Sequence, residues 1–399
     1  MSALAFVLAA WGQQNYLLFE PLYREALERR EKELGPHHPK VSESLTNLAL
    51  LIRNKGDLAA AEPLLRRALA IDEKVFDPTH PRLAADLDNL ASVLESKPDL
   101  DSAQLLYRRS LAIKEKALGQ ENLPVAESLL KLASLLQSKN SIEAAEPLHR
   151  RALTIKEKIL GPDHPEVGIG WNNLGLLIEP RAGFAAAESL YSRALAILEK
   201  SLGPEDPEVA AALNNLAGAL RARGDLDGAE QRLRRALAIT AKTLAPDHPR
   251  VAAYLTNLAD LLAARKNYAE AELLLRRAIL IQDKAAAPDT SEIFSTLNSL
   301  AFLLRAKGDL AGAEPMVRRA LALAGKTFGP NHPEVARQSI NLAWLLAAKG
   351  DYPRAQALYR RALPLAEKAL GPRDPLVLAI RQNLAELEKR LASGSPRRP

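Results

Sequence analysis

Asn47-Leu48-Ala49 closes the stretch Val41-Ser42-Glu43-Ser44-Leu45-Thr46-Asn47-Leu48-Ala49, and the same tripeptide returns at Asn89, Asn215, Asn257, Asn341 and Asn383. Close variants begin at Lys131, Asn173 and Ser299, so that every step from 47 to 383 is 42 residues long. The arginine pair of Arg66-Arg67-Ala68-Leu69 keeps this phase, recurring from Arg108, Arg150, Arg234, Arg276, Arg318 and Arg360, with Ser192-Arg193 as a variant. So does the motif Gly-Pro-x-His-Pro, which begins at Gly35, Gly161 and Gly329 and has relatives at Asp77, Gly203, Ala245 and Gly371. A fixed period of this length is the signature of a stacked repeat architecture, in which each unit buries its apolar face against its neighbours.

Each unit reads as two helices. The first (helix A) begins at the second proline of the loop motif, at Pro39, Pro81, Pro165, Pro207, Pro249, Pro333 and Pro375. Proline suits the first helical position, where its missing N–H would have no partner. Asp206 and Asp374 stand just before it as N-caps, and Thr290 takes that place where proline is absent. Apolar residues then follow at helical spacing, as in Leu45, Leu48, Ala49 and Ile52. Helix A stops near Gly56-Asp57, Gly224-Asp225, Gly308-Asp309 and Gly350-Asp351, where glycine tolerates the left-handed conformation of a helix end. The second (helix B) runs from about Leu58 to Lys74, with the small Ala61 and Ala68 permitting close approach.

Composition agrees with an all-helical chain. The 399 residues are 47% hydrophobic and 26% charged, rich in helix formers and poor in aromatics. Without cysteine there is no disulfide framework, thiolate nucleophile or cysteine zinc site. That composition fits a reducing compartment, and a cytoplasmic location is expected. The formal charge of +6 is mild for this length, and no apolar run is long enough to span a membrane.

These residues resemble tetratricopeptide repeats, specifically those of the 42-residue kinesin light chain type. Ala49 stands as the small residue of helix A, Gly56-Asp57-Leu58 as the turn, Ala61 and Ala68 as the packing alanines, and Gly161 to Pro165 as that subfamily's loop. The resemblance covers residues 1–391. It implies a right-handed superhelical solenoid of about nine repeats, with helix A lining a concave groove. It also implies protein–protein interaction as the activity, with no enzyme chemistry and no cofactor.

The two ends follow the same register. Ala5-Phe6-Val7 aligns with Asn47-Leu48-Ala49, so residues 1–14 read as the rear of a helix A; the competing reading, a signal peptide, lacks a basic residue before the apolar stretch. Residues 375–391 read as a capping helix, whose polar side carries Arg381, Glu386, Glu388, Lys389 and Arg390, and residues 392–399 as a disordered tail. The exposed terminal helices leave end-to-end association open.

Two constellations suggest chemistry and are better read as structure. A nucleic-acid reading of the arginine pairs meets two objections: most have Glu one turn earlier, as in Glu62–Arg66 and Glu314–Arg318, and no aromatics interleave for base stacking. The recurring His38, His80, His164, His248 and His332 sit one per unit. That spacing is too wide for one metal ion, whose ligands all lie about 2 Å away.

The asparagine of helix A is different. Asn fills seven of ten equivalent positions although it costs up to about 0.7 kcal/mol against Ala in a helix. Two accounts stand level: a bond to a ligand backbone, as the resemblance implies, or a ladder between neighbouring helices. Positions flanking it are expected to face the groove. Early in the chain these give Asp88, Ser92, Glu95, Ser134, Gln137 and Glu179; later they give Asn214, Arg221, Asn298, Phe302, Arg305 and Trp344. The expected peptide-binding set is Asn215, Asn257, Asn298, Phe302, Arg305, Arg337, Asn341 and Trp344. An aromatic pair beside arginines suits a peptide or protein with apolar and acidic residues, against a competing reading in which both rings only pack on the next helix A. The functional expectation is therefore an interaction scaffold. The alternative is a regulatory or structural segment of a larger signalling protein that packs against its own other domains.

Overall fold

The computed structural model describes residues 16–285 and 290–392. Within them lie eighteen helices and no strand. The expected helix A in residues 1–14 and the tail from residue 393 fall outside the described residues. Clustering of contacts divides the chain into two units, Met1–Leu202 and Gly203–Pro399.

The first unit holds α1 (Tyr16–Leu34), α2 (Pro39–Asn54), α3 (Leu58–Val75), α4 (Pro81–Ser96), α5 (Leu100–Leu118), α6 (Leu123–Ser138), α7 (Ile142–Leu160), α8 (Pro165–Ala182) and α9 (Phe184–Leu202). The second holds α10 (Pro207–Arg223), α11 (Leu226–Thr243), α12 (Pro249–Ala264), α13 (Tyr268–Lys284), α14 (Thr290–Ala306), α15 (Leu310–Phe328), α16 (Pro333–Ala348), α17 (Tyr352–Leu370) and α18 (Pro375–Ala392). Even numbers are helix A, odd numbers helix B, and α18 is the cap. In each unit a helix packs mainly on the ones before and after it in sequence.

The loop motif works as a start signal in an unforeseen way. His38, His80, His164, His248 and His332 are the N-caps of their helices, each Nδ1 accepting the backbone N–H two residues on at 3.1–3.2 Å. Asp206 and Asp374 accept the same bond at 2.8 Å. Each His or Asp thus satisfies one of the donors a helix start leaves open, and proline supplies the next position. Between helices A and B, Gly56 and Gly224 turn at φ +91° and +90°, after which Asp57 and Asp225 cap helix B.

Small residues set how closely the pairs pack. Ala61, Ala103, Ala145, Ala187, Ala229, Ala271, Ala313 and Ala355 occupy one position in successive repeats and are all fully buried. Around them Leu45, Leu48, Leu87, Leu129 and their equivalents fill the core, each contributing about 1.5–3 kcal/mol by burial. At Gly175 the spacing is tighter still, since a Cβ there would lie 2.4 Å from the ring of buried Tyr191.

Charges join consecutive repeats on the helix B side. Glu62 takes Arg66 on its own helix at 2.8 Å and Lys97 of the next repeat at 2.5 Å. Those two hydrogen bonds, Lys97's first, hold its carboxyl below the ordinary 4.5 against the opposing effect of burial. Glu146, Glu272 and Glu314 repeat the arrangement. A second polar place recurs deeper, between helix B and the following helix A. There Arg30 donates to Ser44 Oγ (2.8 Å), Lys114 to Ser128 Oγ (2.6 Å) and Gln282 to Thr296 Oγ1 (3.0 Å). The equivalent residues on α3 and α4 are two acids, Asp72 and Asp86, both buried.

Candidate functional site

On the helix A side of the second unit, α14, α16 and α18 stand in succession and bound a concavity of about 370 Å³. Five of the eight expected residues line it: Asn298, Phe302 and Arg305 from α14, and Asn341 and Trp344 from α16. Leu376 and Asn383 of α18 form its far side, and Tyr359 of α17 part of its floor. Phe302 and Trp344 are 58% and 40% exposed, so neither ring is consumed by core packing.

Arg305 lies between these rings. Its guanidinium carbon is 4.8 Å from the Phe302 centroid and 4.2 Å from that of Trp344. Both distances fall inside the range of cation–π attraction. No Asp or Glu oxygen among the described residues is within ion-pair reach of it. The helical period explains the clamp: residue 305 is three positions beyond 302 and so on the same face, and residue 344 is the repeat equivalent of 302 on the next helix A.

The asparagines bridge adjacent helices. Asn341 Nδ2 donates to Asn298 Oδ1 at 3.4 Å, and Asn257 Nδ2 to Asn214 Oδ1 at 2.8 Å. The donor stands at the marker position and the acceptor one residue before the preceding marker. Lys131 reaches Asp88 in the same register at 2.7 Å. The ladder reading therefore holds at these pairs. At the 298–341 rung Asn341 is exposed and its Oδ1 has no protein donor among the described residues, and neither does the Asn298 amide nitrogen have an acceptor. A donor and an acceptor are thus left facing the concavity.

The remaining expected residues are elsewhere. Asn215 and Asn257 do not line this concavity. Asn215 accepts from Asn214 at 3.2 Å. Arg337 is exposed on α16 and pairs loosely with Glu334, one turn earlier, at 3.5 Å. Sequence reasoning left out Tyr359 and Leu376 of the lining, and kept Asn383 out of the expected set although it stands at a marker position. Tyr359 is fully buried, and its hydroxyl accepts from Asn383 Nδ2 at 3.3 Å. Its equivalents Tyr107 and Tyr191 donate instead to Glu95 (3.0 Å) and Glu179 (2.7 Å). Burial first, and then those carboxylates, push both phenols upward. The acids expected to face the groove in the first unit are thereby engaged internally. Asp88 is likewise held by Lys114 and Lys131. Arg305 occupies the repeat position of Glu95 and Glu179 and reverses its sign.

Among the described residues no group of three or more His, Asp or Glu is disposed to hold a metal ion. No helix there is long and apolar enough to cross a membrane.

Comparison with known proteins places this geometry in a family. A family model described as tetratricopeptide repeat matches residues 1–74, 43–116, 170–242, 208–284 and 292–368. A second model with the same description matches residues 125–166. The chain belongs to the tetratricopeptide repeat family. Solved kinesin light chain TPR-like repeats are among the structures to which it is similar. The crystal structure of BtubC (BKLC) from P. vanneervenii is 26% identical over 58% of this chain and 91% of its own, with a TM-score of 0.50. The putative kinesin light chain TPR-like repeats of Podosopora anserina are 28% identical over 52% of this chain and 98% of theirs, with a TM-score of 0.47. The apo form of the quorum sensor NprR from B. thuringiensis is 12% identical over 88% of this chain and 97% of its own, with a TM-score of 0.62; that likeness is one of fold alone. No curated protein matches the chain.

Proposed function

We propose that this protein is an interaction scaffold that binds an extended peptide, or an exposed segment of a partner protein, in the helix A groove bounded by α14, α16 and α18. The observation that carries the reading is Arg305, a guanidinium held between two exposed rings with no carboxylate among the described residues to neutralise it. A ligand carboxylate supplies that counter-charge through a charge-assisted, geometrically directed bond. Phe302 and Trp344 take an adjacent apolar side chain, as aromatic anchors do in interfaces. The open donor and acceptor of Asn298 and Asn341 suit a ligand peptide unit. Asn215, Asn257 and Arg337 belong to the proposed set only where a longer ligand extends beyond this groove.

The test is selection of a random peptide library, displayed on phage, against the intact chain. Enriched peptides are expected to pair an acidic residue with a neighbouring large apolar one. Their affinity should fall about tenfold or more for Arg305→Ala and for Trp344→Ala, as for a hot-spot residue. Peptides that bind both variants as well as the wild type refute the groove as drawn. The alternative, a regulatory segment packing against other domains of a larger protein, predicts that no free peptide is enriched.

A further inference from the structure

On the opposite, helix B side of the same unit, a second concavity of about 320 Å³ opens between α11 and α13, with α12 behind it. Its origin lies in a broken repeat pattern. The second arginine of each pair normally reaches back 36 residues to an acid on the preceding helix B. Glu31–Arg67, Glu73–Arg109, Glu115–Arg151 and Glu157–Arg193 close at 2.5–2.7 Å, and Asp283–Arg319 forms the same pair. Arg277 belongs to this series, but the residue 36 positions before it is Ala241. Both line the concavity.

Arg277 has no ion-pair partner among the described residues, whereas the other arginine of the lining, Arg234, is saturated by Glu230 at 2.8 Å and Glu270 at 2.9 Å. Leu237, Val251, Leu255 and Leu274 supply apolar walls. The missing group is therefore a carboxylate, and the space beside it is apolar. We propose that this cleft is a second ligand site, which takes a small amphiphilic carboxylate: the acid group pairs with Arg277 where the repeat's own carboxylate is missing, and the apolar body lies against the four side chains. A volume of about 320 Å³ is at the small end of ligand sites, which selects a body of side-chain size.

Octanoate is the probe, measured by equilibrium dialysis against the intact chain, with octanol and acetate as the halves of the ligand. Octanoate is expected to bind better than either half. Arg277→Gln should weaken it about tenfold or more, as the loss of a buried or rim charge partner does. Ala241→Glu should abolish binding while raising the melting temperature, because it restores the pair that Arg67, Arg109, Arg151, Arg193 and Arg319 make. Arg361→Gln is the control: Arg361 also lacks its acid, facing Gly325 by the same spacing, yet is outside the cleft and should leave octanoate unaffected. The proposal is overturned by octanol binding as well as octanoate, by equal binding to Ala241→Glu, or by an Arg361→Gln effect equal to that of Arg277→Gln. It is also overturned if an acidic peptide binds the cleft and octanoate does not.

Discussion

Replacing Asp86 by asparagine isolates the one buried pair of like charges in the recurring polar layer. Asp72 is fully buried on α3, and its Oδ2 accepts from Arg82 Nε at 2.5 Å. Asp86 is buried beside it on α4. Asp72 Oδ1 and Asp86 Oδ2 have no donor from other protein groups, which a proton shared between the two acids would answer. Burial, reinforced by the hydrogen bond and the charge of Asp72 and only partly opposed by Arg82, pushes the Asp86 carboxyl from 3.8 up to about 7. Below about pH 4 the group is neutral in both the folded and unfolded chain. Between about pH 4 and about pH 7 the unfolded chain releases a proton that the folded chain keeps, so this contribution to stability is lost as pH rises, and the loss is complete above about 7. At roughly 1.4 kcal/mol per pH unit, the total is about 4 kcal/mol. Asparagine is nearly isosteric, cannot ionise, and keeps a donor for Asp72. The stability advantage of Asp86→Asn over wild type should therefore grow by about 2–3 kcal/mol between about pH 5 and about pH 8. Urea denaturation of the intact chain at the two pH values, with hydrogen exchange of α3 and α4 amides to localise the effect, measures it. An advantage that stays constant or shrinks with rising pH refutes the shared proton. Asp72→Asn is the contrasting variant: it should cost about 1–3 kcal/mol by leaving Arg82 without its partner.

Lys266 makes the inter-helix turn at φ +64° where four other repeats have Gly56, Gly224, Gly308 and Gly350, so Lys266→Gly should gain about 0.5–1 kcal/mol, read from the denaturation midpoint. His164→Ala should cost about 1 kcal/mol through loss of the cap, and His164→Asp should not, since Asp206 makes the same bond; equal losses would show that the histidine acts through something other than capping. Gly218→Ala should stabilise α10 by about 1 kcal/mol, because an added Cβ meets nothing within 4 Å. Gly175→Ala should instead destabilise by about 1–3 kcal/mol by overpacking against Tyr191, whose hydroxyl is anchored on Glu179 at 2.7 Å; thermal melts of the two variants give opposite signs.

The helices were legible because the signals that make them are local. Proline at the first turn, glycine at the last and apolar spacing between them act within one helix, and the 42-residue phase then repeats them. The capping role of the five histidines was harder to read, although Asp206 and Asp374 in the same place pointed to it. A capping bond depends on which ring nitrogen faces the helix, and composition carries no trace of that.

The groove was half legible for a related reason. Phe302 and Trp344 stand out because they break the repeat on helix A, where the periodicity already says which side faces out. Tyr359 was missed because it lies on helix B and reaches the groove only from beneath. Its signal was indirect: Tyr107 and Tyr191 recur at its position with acids at Glu95 and Glu179, and the matching position before Tyr359 is Ala347. The same logic found Ala241 opposite Arg277. Many contacts between repeats fall at separations such as 35, 36 and 43 residues, which lie beyond the length of any one helix and become visible only once one copy of the pair has been seen. In a chain built from near-identical units, a substitution at such a spacing removes one partner of a pair that most other copies keep. Arg277 is such a residue left behind, whereas Arg305 is itself the substituted one, in the place of Glu95 and Glu179; the two proposed ligand sites rest on these guanidinium groups, neither of which has an ion-pair partner among the described residues.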